Sequence, residues 1–102
     1  MPSAQPPPMT FDEFFPSYLE AHSKRATRLM HAGGLLAALT VAAVGVATLR
    51  PRLFLLALAV GYLPAWCSHW FIERNTPKTF GQPLLSFRGD FLMVWRLLTG
   101  RL

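Results

Sequence analysis

Charge is scarce in this chain, and acid is scarcer. Only 15% of the 102 residues are charged, with five Asp or Glu against ten Lys or Arg. Soluble globular domains carry about 25% charged residues, so a soluble reading is strained, and the 52% hydrophobic content strains it further. The single cysteine, Cys67, excludes an intrachain disulfide, a CxxC pair and a Cys/His zinc spacing. It reads as a small apolar side chain inside a helix. There is no GxGxxG, Walker or HExxH pattern, and Ser68 beside His69 points elsewhere on its helix, so no serine triad forms. No period of 20 to 50 residues recurs, which excludes solenoids and arrays.

The net charge of +5 would suit a nucleic-acid binder, but here the basic residues flank long apolar runs instead of covering a polar surface. That distribution suits anionic phospholipid headgroups. The expected partners are therefore membrane lipids or fatty acids and no nucleic acid, with a homo-oligomer left open.

Residues 1–9 hold four prolines, no basic n-region and no apolar h-region, and read as a disordered leader instead of a cleaved signal peptide. From residue 10 to 102 the chain reads as one membrane domain. Thr10 and Glu13 have capping-box spacing, and Phe11, Phe14, Phe15, Tyr18, Leu19 and His22 fall on one helical stripe. This predicts an amphipathic helix over about 11–22 lying in the headgroup plane, with Pro16 as a competing start point.

Lys24, Arg25 and Arg28 precede an uncharged run from Leu29 to Leu49, and Leu53 to Ile72 supplies a second after the Arg50-Pro51-Arg52 turn. Each run has about the 20 residues needed to span a bilayer. Spans over about 29–49 and 53–72, joined by three residues, must be antiparallel neighbours. Pro64 is expected to kink the second. Eight of the ten Lys and Arg residues lie on the side of the termini and two in the turn, which predicts both termini in the cytoplasm. Leu84 to Leu98 is apolar-rich but contains Arg88, Asp90 and Arg96, so a second interfacial helix is expected over about 84–98. The expected fold is thus all-α: an integral membrane, multi-pass, two-span helical hairpin with interfacial amphipathic helices before and after it.

Candidate chemistry gathers at one edge. His31, Gly34, Ala38 and Gly45 share a face of the first span, and Ala57, Gly61, Ala65, His69 and Glu73 recur every four residues on the second. Small residues let membrane helices approach closely, which brings His31 and His69 to nearly one depth at the cytoplasmic edge. Tyr62 and Trp66 continue that side as an aromatic wall. His22 reaches the same edge only if the chain breaks between Ser23 and Thr27, because nine helical residues would place it and His31 on opposite faces. Three imidazoles and one carboxylate suit iron or zinc, with two His and a carboxylate pointing to non-haem iron(II). Histidines that only satisfy headgroup hydrogen bonds are the plainer alternative. Trp66, Trp70 and Trp95 also suit an interfacial belt, and Arg74, Lys78 and Arg88 headgroup contacts, although a substrate carboxylate would also want one such cation.

Tyr18-x3-His22, His31-x2-Gly34, the block His69-Trp70-Phe71-Ile72-Glu73-Arg74-Asn75-Thr76-Pro77, and Pro83-x2-Ser86-x2-Gly89-Asp90-x2-Met93 resemble the small membrane proteins related to the fungal 2-hydroxy fatty acid dioxygenase. The similarity runs from Phe11 to Leu102. It implies an iron(II)-dependent enzyme that shortens a 2-hydroxy fatty acid by one carbon, with His22, His31 and His69 as metal ligands. Glu73 would be the catalytic carboxylate, as a fourth ligand or as the group that orients an imidazole. Arg74 would hold the substrate carboxylate, and Trp66 and Tyr62 would line the acyl chain. A non-catalytic membrane protein with a structural or lipid-organising role is the rival reading.

Overall fold

A computed structural model of the protein describes residues 9–102, so all but the last residue of the expected leader lies outside the described residues. Four α-helices follow in order: α1 (Phe11–Ala21), α2 (Arg25–Ala47), α3 (Arg52–Ser68) and α4 (Pro83–Leu98). A π-helical turn, His69–Glu73, extends α3, and a short 3₁₀ turn, Lys78–Phe80, precedes α4. No strand occurs among the described residues.

The capping box is formed: the Thr10 hydroxyl accepts from Glu13 N at 3.2 Å, and Glu13 Oε1 accepts from Thr10 N at 3.3 Å. With these end groups satisfied, α1 starts at Phe11 and runs through Pro16. The competing start at Pro16 is not used.

Among the described residues, two helices are long and apolar enough to cross a membrane, Arg25–Ala47 and Arg52–Glu73. They pack antiparallel along their length. A Cβ built on Gly34 would lie 3.1 Å from Gly61 O, and one on Gly61 would lie 3.2 Å from Ala38 Cβ. The expected small-residue seam is therefore the contact surface, close enough that backbone meets backbone. Pro64 lies inside α3 and leaves Val60 O without its usual partner; that carbonyl faces Gly34, 3.4 Å from the built Cβ. Such a freed carbonyl is suited to a Cα–H contact from the neighbouring helix.

The termini depart from the expected arrangement in one respect. The apolar stripe of α1 is covered by protein: Phe11, Phe14, Phe15 and Tyr18 form one core with Met93 of α4, flanked by Leu19, Leu85 and Leu92. The two amphipathic helices satisfy each other's apolar faces, at roughly 1.5–3 kcal/mol per large side chain buried. Arg88 and Arg96 stack over the Phe11 and Phe15 rings, with guanidinium carbons 4.2 and 5.1 Å from the centroids. On its opposite face α4 leaves Leu84, Phe87, Phe91, Trp95 and Leu98 exposed at helical spacing.

Candidate metal centre

The break that brings His22 over the hairpin is short. α1 ends at Ala21, His22 caps it in a non-helical conformation, and α2 begins at Arg25. The reversal is held by Glu73, whose carboxylate accepts from Ser23 Oγ (3.0 Å), Lys24 N (2.8 Å) and Thr27 Oγ1 (2.7 Å). The partially positive start of a helix favours a carboxylate, so Glu73 caps α2 from outside it. Lys24 Nζ adds a bond to Ile72 O at 3.0 Å, and Arg28 Nε one to His22 O at 2.6 Å.

In consequence His22, His31 and His69 meet. All three are buried, at 1%, 5% and 2% exposure, although they come from three different elements. His22 Nε2 lies 3.0 Å from His31 Nε2 and 2.9 Å from His69 Nε2, and all three ligand atoms lie within 4.8 Å of one another. The rings meet edge to face, with centroids 4.3 to 5.2 Å apart.

The far nitrogen of each ring fixes its tautomer. His22 Nδ1 faces Tyr18 O (2.6 Å), His31 Nδ1 faces Thr27 O (2.8 Å) and His69 Nδ1 faces Asn75 Oδ1 (2.7 Å). All three partners are acceptors, so each Nδ1 carries the hydrogen and each neutral ring presents a bare lone pair at Nε2. Three lone pairs converging within 4.8 Å, with His22 Nε2 only 2.9–3.0 Å from the other two, repel unless a cation lies among them. His22 Nε2 lies closer to each of the other two than twice a metal–imidazole bond of about 2.0–2.1 Å, so one ion can touch it together with either neighbour, and the three atoms lie close enough together to form a candidate metal group. Burial first, and the His31 ring second, push the His22 imidazole down to about 2, which keeps it neutral and able to ligate.

Asn75 is the orienting residue whose role the sequence reading left unassigned. Its Oδ1 fixes His69, its Nδ2 donates to Ala21 O at 3.1 Å, and its backbone N–H donates to His69 O at 2.9 Å just past the π-turn. One side chain thus ties the His69 ring to the residue before His22. Its place in the His69-x3-Glu73-x-Asn75 block was the available signal.

Several expected positions are differently used. Glu73 turns its oxygens to donors at the start of α2, and among the described residues none of its hydrogen bonds goes to an imidazole. Arg74 takes a left-handed backbone (φ 60°) that stops the helix, and its side chain is exposed. Tyr62 and Trp66 do flank the centre. Lys78, not Arg74, is the cation beside it.

Two cavities adjoin the imidazoles. A groove of about 250 Å³ runs between α2, α3 and α4, from His31 and Asp90 past Leu35, Ala38, Gly61 and Phe91 toward Phe54. A much smaller cavity, of about 10 Å³, lies against all three histidines and shares His31, Tyr62, Ala65 and Asp90 with the groove. Asp90 accepts from the Tyr18 hydroxyl, and the Tyr18 ring stacks on His22 with centroids 4.0 Å apart. Burial lifts the Asp90 carboxyl to about 6, against the opposing pull of that hydrogen bond. A Cβ on Gly89 would lie 3.1 Å from two Tyr18 ring carbons, so only glycine lets this ring lie flat on α4.

No curated protein and no solved structure matches the chain. The pattern of one family, described as "2-hydroxy-palmitic acid dioxygenase Mpo1-like", matches residues 9–102 and so takes in the three histidines, Asn75 and both cavities. By that match over nearly its whole length, the chain belongs to the Mpo1-like family.

Proposed function

We propose that this protein is a membrane-embedded, metal-dependent lipid oxygenase that acts on 2-hydroxy fatty acids, with iron(II) held by His22, His31 and His69. The observation that carries this reading is the convergence of three Nε2 lone pairs whose tautomers are fixed from behind. Neutral imidazoles suit iron, and an all-histidine set leaves ligand positions open for oxygen and substrate. Bound there, iron would supply the oxygen activation that shortening a 2-hydroxy acid by one carbon requires.

The chain's own residues do the rest. Leu35, Ala38, Gly61 and Phe91 offer an apolar bed for the acyl chain, one end of which reaches His31. The Tyr18 ring stacks on His22, and Trp66 lines the small cavity beside the imidazoles. Asn75 and the Thr27 and Tyr18 carbonyls keep the three rings aimed at one point, which is what preserves metal affinity.

Membrane insertion is supported by where the apolar surface lies. Only 22% of the most apolar window of each long helix is buried within the protein, whereas the core helix of a soluble domain would be mostly buried. Leu36, Leu39, Val44, Leu55, Leu58 and Leu63 face outward. With eight basic residues at the terminal side and two in the turn, both termini face the cytoplasm in this reading.

The test is metal content by elemental analysis of detergent-purified protein after anaerobic iron(II) loading and desalting. The parent should retain about one ion per chain, and the combined His22→Ala, His31→Ala, His69→Ala variant should retain none while still inserting. Oxygen uptake on adding 2-hydroxypalmitic acid should follow the metal. A parent that holds no more iron, zinc or manganese than the triple variant removes the enzyme reading and leaves a structural or lipid-organising role.

A further inference from the structure

Among the described residues, two buried donors near the imidazoles have no hydrogen-bond partner: Trp66 Nε1 and Ser86 Oγ. Each lost bond of this kind costs about 1–3 kcal/mol, so a protein that keeps two at one cavity has a use for them. Both residues line the same small cavity beside the three histidines, and Ser86 is only 2% exposed. An indole N–H can only donate, and a partnerless serine hydroxyl on the same cavity is free to donate as well, so the occupant they await is an oxygen acceptor. The volume, about 10 Å³, takes one oxygen-sized group. Lys78 lines the same cavity and supplies positive charge. The mouth is shared with the apolar groove through Tyr62, Ala65 and Asp90.

We propose that Trp66, Ser86 and Lys78 form the carboxylate seat of the substrate site, receiving one carboxylate oxygen of a long-chain acid whose tail lies along the α2–α3–α4 groove. The proposal rests on the lipid-oxygenase reading for the identity of the acid and deepens it. It assigns the head of the substrate to three residues and places carbon 2 beside the imidazoles. Asp90 stands at the junction as the opposing charge. Its engagement with the Tyr18 hydroxyl leaves the two neutral donors and the ammonium as the groups that select for an anion.

The test compares two ligands that differ only at the head, 2-hydroxypalmitic acid and 1,2-hexadecanediol, each tritiated. Equilibrium binding to the full-length protein in neutral detergent is measured in metal-free and zinc-loaded form, neither of which turns the acid over. The parent should prefer the acid by about 10-fold or more, as expected when hydrogen bonds go to a charged acceptor. Trp66→Phe, Ser86→Ala and Lys78→Gln should each weaken acid binding by about 10-fold and diol binding clearly less, with metal content unchanged. Because its hydroxyl has no partner in the ligand-free protein, Ser86→Ala should leave ligand-free thermal stability intact. A fall of several degrees would give that hydroxyl a structural role and overturn its part in the seat.

An acid-to-diol ratio that is the same in the parent and all three variants overturns the proposal and leaves the cavity to a lone water. The two readings fail separately. A parent that discriminates acid from diol yet retains no metal loses the oxygenase chemistry and keeps the seat, whereas one that retains metal without discriminating loses the seat alone.

Discussion

Glu73 Oε2 lies 2.7 Å from Thr27 Oγ1, and through that bond the carboxylate that the sequence offers to a metal is committed to the start of α2. Its four-residue spacing from His69 would place it near that ring on an ideal α-helix. The chain instead widens into a π-turn over His69–Glu73, and three donors at the start of α2 take the carboxylate.

Glu73→Gln puts an amide donor where an acceptor is needed, so one of these three bonds is lost. The expected cost is about 1–2 kcal/mol of stability, read as a lower melting temperature, with metal content still at least half the parent's. Unchanged melting together with lost metal would make Glu73 a ligand after all.

Asn75→Ala removes the acceptor behind His69 and the donor to Ala21 O. Metal affinity should fall by roughly 10- to 100-fold in competition with a calibrated chelator, while the helix content by circular dichroism is kept. If affinity is unchanged, the His69 ring is oriented by something other than Asn75.

Gly89→Ala places a methyl group 3.1 Å from the Tyr18 ring, which itself lies on His22. Overpacking of this kind costs about 1–3 kcal/mol, and displacement of the ring should also lower iron retention. Gly81→Ala, where an added Cβ meets nothing, is the control and should be silent in both measurements.

Asp90 gives a pH dependence with a definite sign. Its carboxyl is lifted from an ordinary 3.8 to about 6 in the fold, so the folded state holds the proton more tightly than the unfolded chain. Its contribution is most favourable below about pH 4, is lost progressively as pH rises to about 6, and is constant above. The full swing is about 3 kcal/mol. Asp90→Asn keeps an acceptor for Tyr18 and removes the charge, so it should raise the melting temperature of the metal-free protein at pH 8 and change it little at pH 4. Equal shifts at both pH values would assign the effect to packing instead.

The sequence by itself determined the helices, because their signals are local. Thr10 with Glu13 marks the start of α1, two uncharged runs of bilayer length give α2 and α3, and the small residues Gly34, Ala38 and Gly61 can pack closely only on the faces they share. It also pointed to the three histidines, since His31 and His69 fall at one depth once the hairpin is closed. The fine use of the side chains was decided by tertiary structure. Whether the apolar stripe of α1 meets lipid or Met93 depends on where α4 docks, and nothing in residues 11–22 encodes that. Glu73, Arg74 and Asn75 are consecutive, and each is a plausible partner for a metal or a carboxylate by chemistry alone. The π-turn and the left-handed residue at its end send Glu73 to the start of α2, Arg74 outward and Asn75 back onto His69. The partnerless donors Trp66 and Ser86, twenty residues apart, become a pair only when α3 and α4 close one cavity between them, because hydrogen-bond satisfaction belongs to the packed molecule and not to any segment of it.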